Sequence, residues 1–146
     1  ILKDLDEKSA LPIWIGLIEA SAIATELEKI KLARPMTHDL LKNILVSLKA
    51  TVKKIEINDL ADNTFYAKIF LQADGKEHVI DSRPSDAIAI ALRTQAPIFV
   101  DKKVIDKSRS IDLTKEGTEG QKKIQQEKWA EILEGLNPDD FGKYKM

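Results

Sequence analysis

Three neighbouring segments of alternating apolar and polar residues, separated by two tight-turn sequences, constrain the fold of this chain most strongly. In the first segment Ile55 and Ile57 alternate with Lys54 and Glu56, as expected of a strand with one buried face. The turn residues are Asp, Asn and Gly, which accept the positive φ of a type I′ hairpin. The pattern therefore predicts an antiparallel β-meander from about residue 51 to 81. The two turn sequences are Asp62-Asn63 and Asp74-Gly75.

The middle strand of this meander, residues 64–72, has two different faces. One face is apolar throughout, and we expect it to pack against helices. The other face interleaves aromatic residues with a lysine and is either a second core layer or an interface. The apolar face carries Phe65, Ala67, Ile69 and Leu71, and the other carries Tyr66, Lys68 and Phe70.

Helices are predicted on both sides of the meander. Apolar residues recur at three- and four-residue spacing over residues 17–31 and again over about 39–49, where Thr37 is expected to cap the helix. The second of these helices has the cleanest amphipathic stripe, so we expect it to be the most buried. A third helix is predicted to run from Pro84 at its first position, or from Ser85 as its N-cap, to about residue 94.

Two short apolar segments, residues 10–15 and 96–100, are predicted to be buried strands. Trp14 and Phe99 lie within them and are expected in the core rather than on a stacking surface. The predicted fold class is α+β: an antiparallel meander with additional short strands, and helices packed on the sheet.

The chain is predicted to contain one main domain over residues 1–106, with its first strand missing. A connector over 107–118 and a C-terminal helical extension over 119–146 follow. The extension is expected to pack its apolar stripe on the domain or on a partner subunit. That stripe consists of Trp129, Ile132, Leu133 and Leu136.

Charge and cysteine content exclude several classes of protein. The 23 basic and 24 acidic side chains are spread evenly along the chain, so no segment forms the basic arm typical of nonspecific nucleic-acid binding. The absence of cysteine excludes disulfides, thiolate zinc sites and iron–sulfur clusters. The sequence contains no apolar run of membrane-spanning length and opens without a signal peptide, so we expect a cytoplasmic protein with no membrane partner.

The first candidate site is the start of the second helix, residues 34–39. A helix N-terminus presents unpaired N–H groups and partial positive charge, so it can hold a phosphate, with Arg34 and Thr37 as further donors. His38 could then act as a base or a metal ligand. The same residues equally fit a structural role, in which Thr37 caps the helix and Asp39 complements its dipole.

The second candidate site is the strand-to-helix turn over residues 81–86. Its carboxylates, Asp81 and Asp86, could hold a divalent cation, while Arg83 and Ser85 bind a phosphate. The same residues could equally form a helix cap and a structural ion pair.

Five strings in order, covering roughly residues 1–106, resemble the bifunctional nuclease family, long classed as a domain of unknown function. The resemblance implies cleavage of RNA and DNA, an activity attached to plant members, and a homo-oligomer. The five strings are Leu11-Pro12-Ile13-Trp14-Ile15-Gly16, Glu19-Ala20, Arg34-Pro35-Met36-Thr37-His38-Asp39-Leu40-Leu41, Asp62-Asn63-Thr64-Phe65-Tyr66-Ala67 and Asp81-Ser82-Arg83-Pro84-Ser85-Asp86-Ala87-Ile88-Ala89; Ala96-Pro97-Ile98-Phe99-Val100 is similar to the family's closing strand.

Two functions remain open at this point. In the first, the chain is a phosphodiesterase: Asp81 and Asp86 hold Mg²⁺ or Mn²⁺, Arg83 steadies the scissile phosphate, and His38 with Asp39 activates water. In the second, it is a noncatalytic ligand-binding or protein-interaction module, in which an ion-pair network shapes an interface. That network would comprise Arg34, Asp39, Arg83 and Asp86. A homodimer is expected in either case, because helix 17–31 is apolar over more than one stripe.

Overall fold

The computed structural model describes residues 1–6 and 9–114, with side chains described up to residue 109. It has the predicted α+β class, built from a two-stranded sheet, a four-stranded sheet and four helices in the described part of the chain. None of the described helices is long and apolar enough to cross a membrane. The predicted extension over 119–146 lies outside the described residues. The elements are β1 (Leu2–Lys3), β2 (Ala10–Leu11), α1 (Leu17–Leu27), α2 (Thr37–Ser47), β3 (Thr51–Ala61), β4 (Thr64–Ala73), β5 (Lys76–Ser82), α3 (Pro84–Thr94), β6 (Ile98–Val100) and α4 (Lys102–Thr114).

The predicted meander is confirmed, and both of its turns have the expected backbone. All four turn residues have positive φ, 51° and 59° in the first turn and 52° and 72° in the second, which matches the right-handed twist of the strands they join. Strand order in the sheet is β5-β4-β3-β6, antiparallel except for β6, which runs parallel to β3.

The core lies between this sheet and α3. Ile55 and Ile57 of β3 and Ala67 of β4 are fully covered, and α3 packs on both strands. Helices α1 and α2 pack in turn on the outer side of α3. The third helix is therefore enclosed from two sides, and its alanines allow both layers to approach closely.

The expectation that the second helix is the most buried is wrong. No residue of α2 is buried, and Leu41, Ile44 and Leu48 of its apolar stripe are 39%, 44% and 68% exposed. Most of α3 is buried instead. Helix α2 packs on α3, and its Leu41 and Ile44 line an open cleft together with Ile69 and Ile80 of the sheet, so the stripe is not sealed against another element in the described chain.

Trp14 and Phe99 are also not in the core, since they are 71% and 52% exposed. The strand predicted over residues 10–15 comprises only Ala10–Leu11, and Trp14 follows it. Phe99 pairs with Glu56 of β3, on the sheet face turned away from α3. There it lies near Lys54, whose Nζ is 5.7 Å from the Phe99 ring centroid and 4.5 Å from that of Phe70. The apolar pattern located this strand correctly but did not reveal which of its faces is covered.

Candidate functional site

A cleft of about 630 Å³ opens between α1, α2, β5 and the N-terminus of α3. Most of its wall is aliphatic, and polar side chains gather at the end where α2 and α3 begin. The polar residues examined below, all of which line this cleft, are Glu19, His38, Arg83 and Asp86.

Local sequence places two of these residues in the first turns of their helices. Helix α3 starts at Pro84, whose fixed φ suits the first helical position, with Arg83 as the N-cap; this confirms one of the two predicted starts. Helix α2 starts one residue earlier than predicted, so Met36 rather than Thr37 is its N-cap. The carboxylate of Asp39 accepts a hydrogen bond from the Met36 N–H at 3.0 Å, the contact that an N3 side chain makes with the N-cap backbone in a capping box.

A chain of ion pairs connects three helices at the polar end of the cleft. Asp86 accepts from Nε2 of His38 at 2.9 Å through one oxygen and from Nε of Arg83 at 2.7 Å through the other. Arg83 also donates from its terminal nitrogen to Glu19 at 3.2 Å. We call these four residues the His38–Asp86 cluster. His38 and Asp86 are 48 residues apart in sequence, and the cluster brings them into direct contact.

The electrostatics keep both charged members of the α3 turn ionised. Burial opposes ionisation of Asp86, but the hydrogen bonds from Arg83 and His38 outweigh it and hold the Asp86 pKa below its ordinary 3.8. The Asp86 carboxylate raises the pKa of Arg83 in return, with a smaller contribution from Glu19. Because an ionised carboxylate only accepts hydrogen bonds, Nε2 of His38 carries the proton in this contact. In the neutral imidazole the lone pair then lies on the other ring nitrogen, Nδ1.

Glu19 and Arg93 are two residues of this region to which sequence reasoning gave no role. Glu19 needs the glycine before α1, since a Cβ at Gly16 would overlap the Glu19 carboxylate. Arg93 is only 5% exposed and donates from Nε to Asp39 at 2.7 Å. The available signal for Arg93 was a single basic side chain in a helix whose other charged residue, Asp86, lies seven positions earlier.

Asp39 lies beside His38 in sequence but faces a different partner. Burial opposes its ionisation, yet the Met36 N–H and the Arg93 guanidinium hold the Asp39 pKa below its ordinary 3.8. Both of its oxygens are therefore engaged, one by Arg93 and one by the helix N-terminus.

The remaining predicted site residues are more scattered. Thr37 lines the cleft, Ser85 is buried in the first turn of α3, and Arg34 is exposed and outside the cleft lining. Asp81 also lines the cleft, and its backbone is paired with that of Lys68 across β5 and β4. Within residues 1–6 and 9–114 no group of three or more His, Asp or Glu side chains is arranged to hold a metal ion.

Comparison with known proteins gives one consistent result. Residues 1–112 match the family described as Bifunctional nuclease domain. An uncharacterized protein of Mycobacterium tuberculosis is 36% identical over 144 residues, 97% of this chain and 86% of that protein. Bifunctional nuclease 1 of Oryza sativa subsp. japonica is 27% identical over 97 residues, 64% of this chain and 29% of the rice protein. Bifunctional nuclease 2 of the same subspecies is 28% identical over 110 residues, 72% of this chain and 34% of its own length.

Proposed function

Because the chain belongs to the Bifunctional nuclease domain family, we propose that it hydrolyses phosphodiester bonds of RNA or DNA at the His38–Asp86 cluster. The observation that carries this proposal is the hydrogen bond from His38 to Asp86, with Arg83 on the second carboxylate oxygen. It joins a base, an orienting carboxylate and a cation at one cleft. Attack on a phosphate requires groups of these three kinds.

His38 is the proposed general base. Asp86 fixes the ring so that Nδ1 can accept a proton from an attacking water, and the same carboxylate stabilises the imidazolium that forms. Water oxygen then bonds to phosphorus, the ester P–O bond breaks, and the departing oxygen takes a proton from solvent. A positioned base of this kind contributes roughly 10²- to 10⁴-fold to the rate.

Arg83 is the proposed phosphate ligand. Its side chain is 65% exposed, so the guanidinium can meet a substrate while Nε stays on Asp86. The backbone N–H of Ser85, at the N-terminus of α3, is a second proposed donor. Thr37 and Arg34 are proposed contacts to neighbouring phosphates. Arg83 is already paired with Asp86 and Glu19, so the proposed attraction for phosphate comes from its remaining N–H groups and from the N-terminus of α3.

Binding of a divalent cation by Asp81 and Asp86 remains a proposal. Each oxygen of Asp86 already accepts one hydrogen bond, so a cation bound there would use the remaining lone pairs and would be repelled by the charge of Arg83. The steps above therefore use the chain's own side chains, and the experiment below includes Mg²⁺, Mn²⁺ and a chelator. The predicted cytoplasmic location also stays a prediction, which cell fractionation would test.

We also propose that the domain forms a homodimer through α1 and α2. Neither helix has a buried residue, and several of their large aliphatic side chains are more than half exposed. Single exposed apolar residues are common, but several large ones on two short helices that both pack on α3 provide apolar area that a second copy could cover. These side chains are Ile18, Leu27, Leu40, Val46 and Leu48.

The experiment is a cleavage assay on labelled single-stranded RNA and DNA, run with Mg²⁺, with Mn²⁺ and with a chelator, on wild-type protein, His38→Ala and His78→Ala. His78 is an exposed histidine of β5, so it is the matched control for loss of an imidazole. We expect His38→Ala to lower the rate by at least about 100-fold and His78→Ala to retain it. Equal activity in all three preparations would assign the cleavage to a contaminant. An inactive wild type would favour the noncatalytic ligand-binding or interaction module.

A further inference from the structure

Arg93 is a buried cation that contacts three helices at once. Its Nε donates to Asp39 of α2 at 2.7 Å, one terminal nitrogen donates to the Ala89 carbonyl of α3 at 3.0 Å, and the other donates to the Ala22 carbonyl of α1 at 3.0 Å. A planar guanidinium is the side chain that can serve three acceptors in three directions, because its donors form a rigid fork.

The same three helices carry the His38–Asp86 cluster. Helix α1 supplies Glu19, one turn before the carbonyl of Ala22. Helix α2 supplies His38, the residue directly before Asp39. Helix α3 supplies Asp86, seven residues before Arg93 and so on the same side of the helix. Each contact of Arg93 therefore lies within about two turns of a cluster residue.

Polar contacts contribute unusually strongly to holding α1 and α2 on α3. Helices α1 and α2 bury no side chain completely, so apolar packing leaves their position on α3 weakly determined. The Arg93 guanidinium is almost fully covered, and hydrogen bonds strengthen in such a low-dielectric environment.

We infer that Arg93 is a positioning residue of the cluster: it holds α1 and α2 on α3 so that His38 meets Asp86 and Glu19 meets Arg83. The inference builds on the proposed function, but its geometric content can be tested without catalysis. Arg93 also lines the cleft, but only 3% of its side chain is exposed and its donors serve protein acceptors, so it acts through His38 rather than on substrate.

The test compares full-length wild type with Arg93→Met, which keeps the length of the aliphatic stem, and Arg93→Lys, which keeps the charge for Asp39 but not the fork. Lys107→Met is the matched control, since it removes an ion pair to Asp59 elsewhere on the domain. Long-range ¹H–¹⁵N spectra of the histidine rings report which ring nitrogen of His38 carries the proton. His78 serves as the exposed reference in the same spectra.

We expect wild type and Lys107→Met to show His38 held with the proton on Nε2. Arg93→Met should lose that preference, and Arg93→Lys should lie between the two. In the cleavage assay kcat should fall at least tenfold in Arg93→Met, with a smaller change in KM. If Arg93→Met does not fold, Asp39→Asn removes the contact to α2 alone, and the same ring spectrum is expected to change.

An unchanged His38 spectrum in folded Arg93→Met, or in Asp39→Asn where that variant replaces it, would overturn the inference. So would a kcat within twofold of wild type. An inactive wild type would instead remove the proposed function, and the ring spectra would still decide the role of Arg93.

Discussion

Replacing Asp86 by Asn tests the central claim about the site, because the change keeps the shape of the side chain and removes one acceptor. The Asn carbonyl can accept from Arg83, but its NH₂ group then faces Nε2 of His38. The alternative orientation points two donors at each other across the 2.7 Å contact with Arg83. The favoured orientation therefore forces the His38 proton onto Nδ1, the nitrogen that is proposed to accept a proton from water.

The expected effects on stability and on activity differ in size. The two hydrogen bonds to the carboxylate become weaker contacts to a neutral amide, and the loss of charge assistance costs about 1–3 kcal/mol in total. The 28% exposure of Asp86 places the value near the lower end of that range. Typical domains are stable by about 5–15 kcal/mol, so the variant stays folded. Loss of the oriented base should lower kcat by about 100-fold, equal to about 2.7 kcal/mol of transition-state stabilisation.

The assay is single-turnover cleavage of labelled RNA, with urea unfolding of the same samples. Asp74→Asn is the matched control, since Asp74 lies in an exposed turn with φ of 52°, which asparagine adopts readily. Asp81→Asn separates the two mechanisms. It should leave kcat nearly unchanged if His38 and Asp86 act alone, and should lower it as much as Asp86→Asn if the two carboxylates share a cation. Folded Asp86→Asn with activity within threefold of wild type would refute the reasoning.

Three other measurements check the electrostatics, the core and the assembly. The folded-state pKa values of Asp39 and Asp86 lie below 3.8. The stability that these two carboxylates contribute is therefore complete above that pH and is lost as the pH falls through the lowered pKa values. Urea midpoints should drop below about pH 4, and the drop should be less steep in Asp39→Asn. Ile57→Ala should lower the free energy of unfolding by about 2–5 kcal/mol because Ile57 is fully buried. Val79 is 49% exposed and provides the control. Equal urea midpoints for Ile57→Ala and Val79→Ala would contradict the assigned core face. Light scattering should give a dimer for wild type and a monomer for Leu48→Glu; a wild-type monomer at micromolar concentration would end the dimer proposal.

Features that depend on one or two residues were predictable from the sequence. The turns at Asp62-Asn63 and Asp74-Gly75 follow from the φ preferences of those residues, and the start of α3 follows from the fixed φ of Pro84. The two faces of β4 follow from the period of two in any strand. His38, Arg83 and Asp86 could be singled out as candidates because they lie at helix starts, where side chains cluster around unpaired backbone groups.

Tertiary structure alone decided which candidates meet and which surfaces are covered. The pairs Arg83–Glu19, Arg93–Asp39 and His38–Asp86 join residues 64, 54 and 48 positions apart. No local preference encodes such distances, because a carboxylate accepts from any cation that the fold brings to it. Burial is equally nonlocal. An apolar stripe predicts which face of a helix favours contact, but the packing of the helices and the sheet determines that α3 is buried and that α2 has no buried residue.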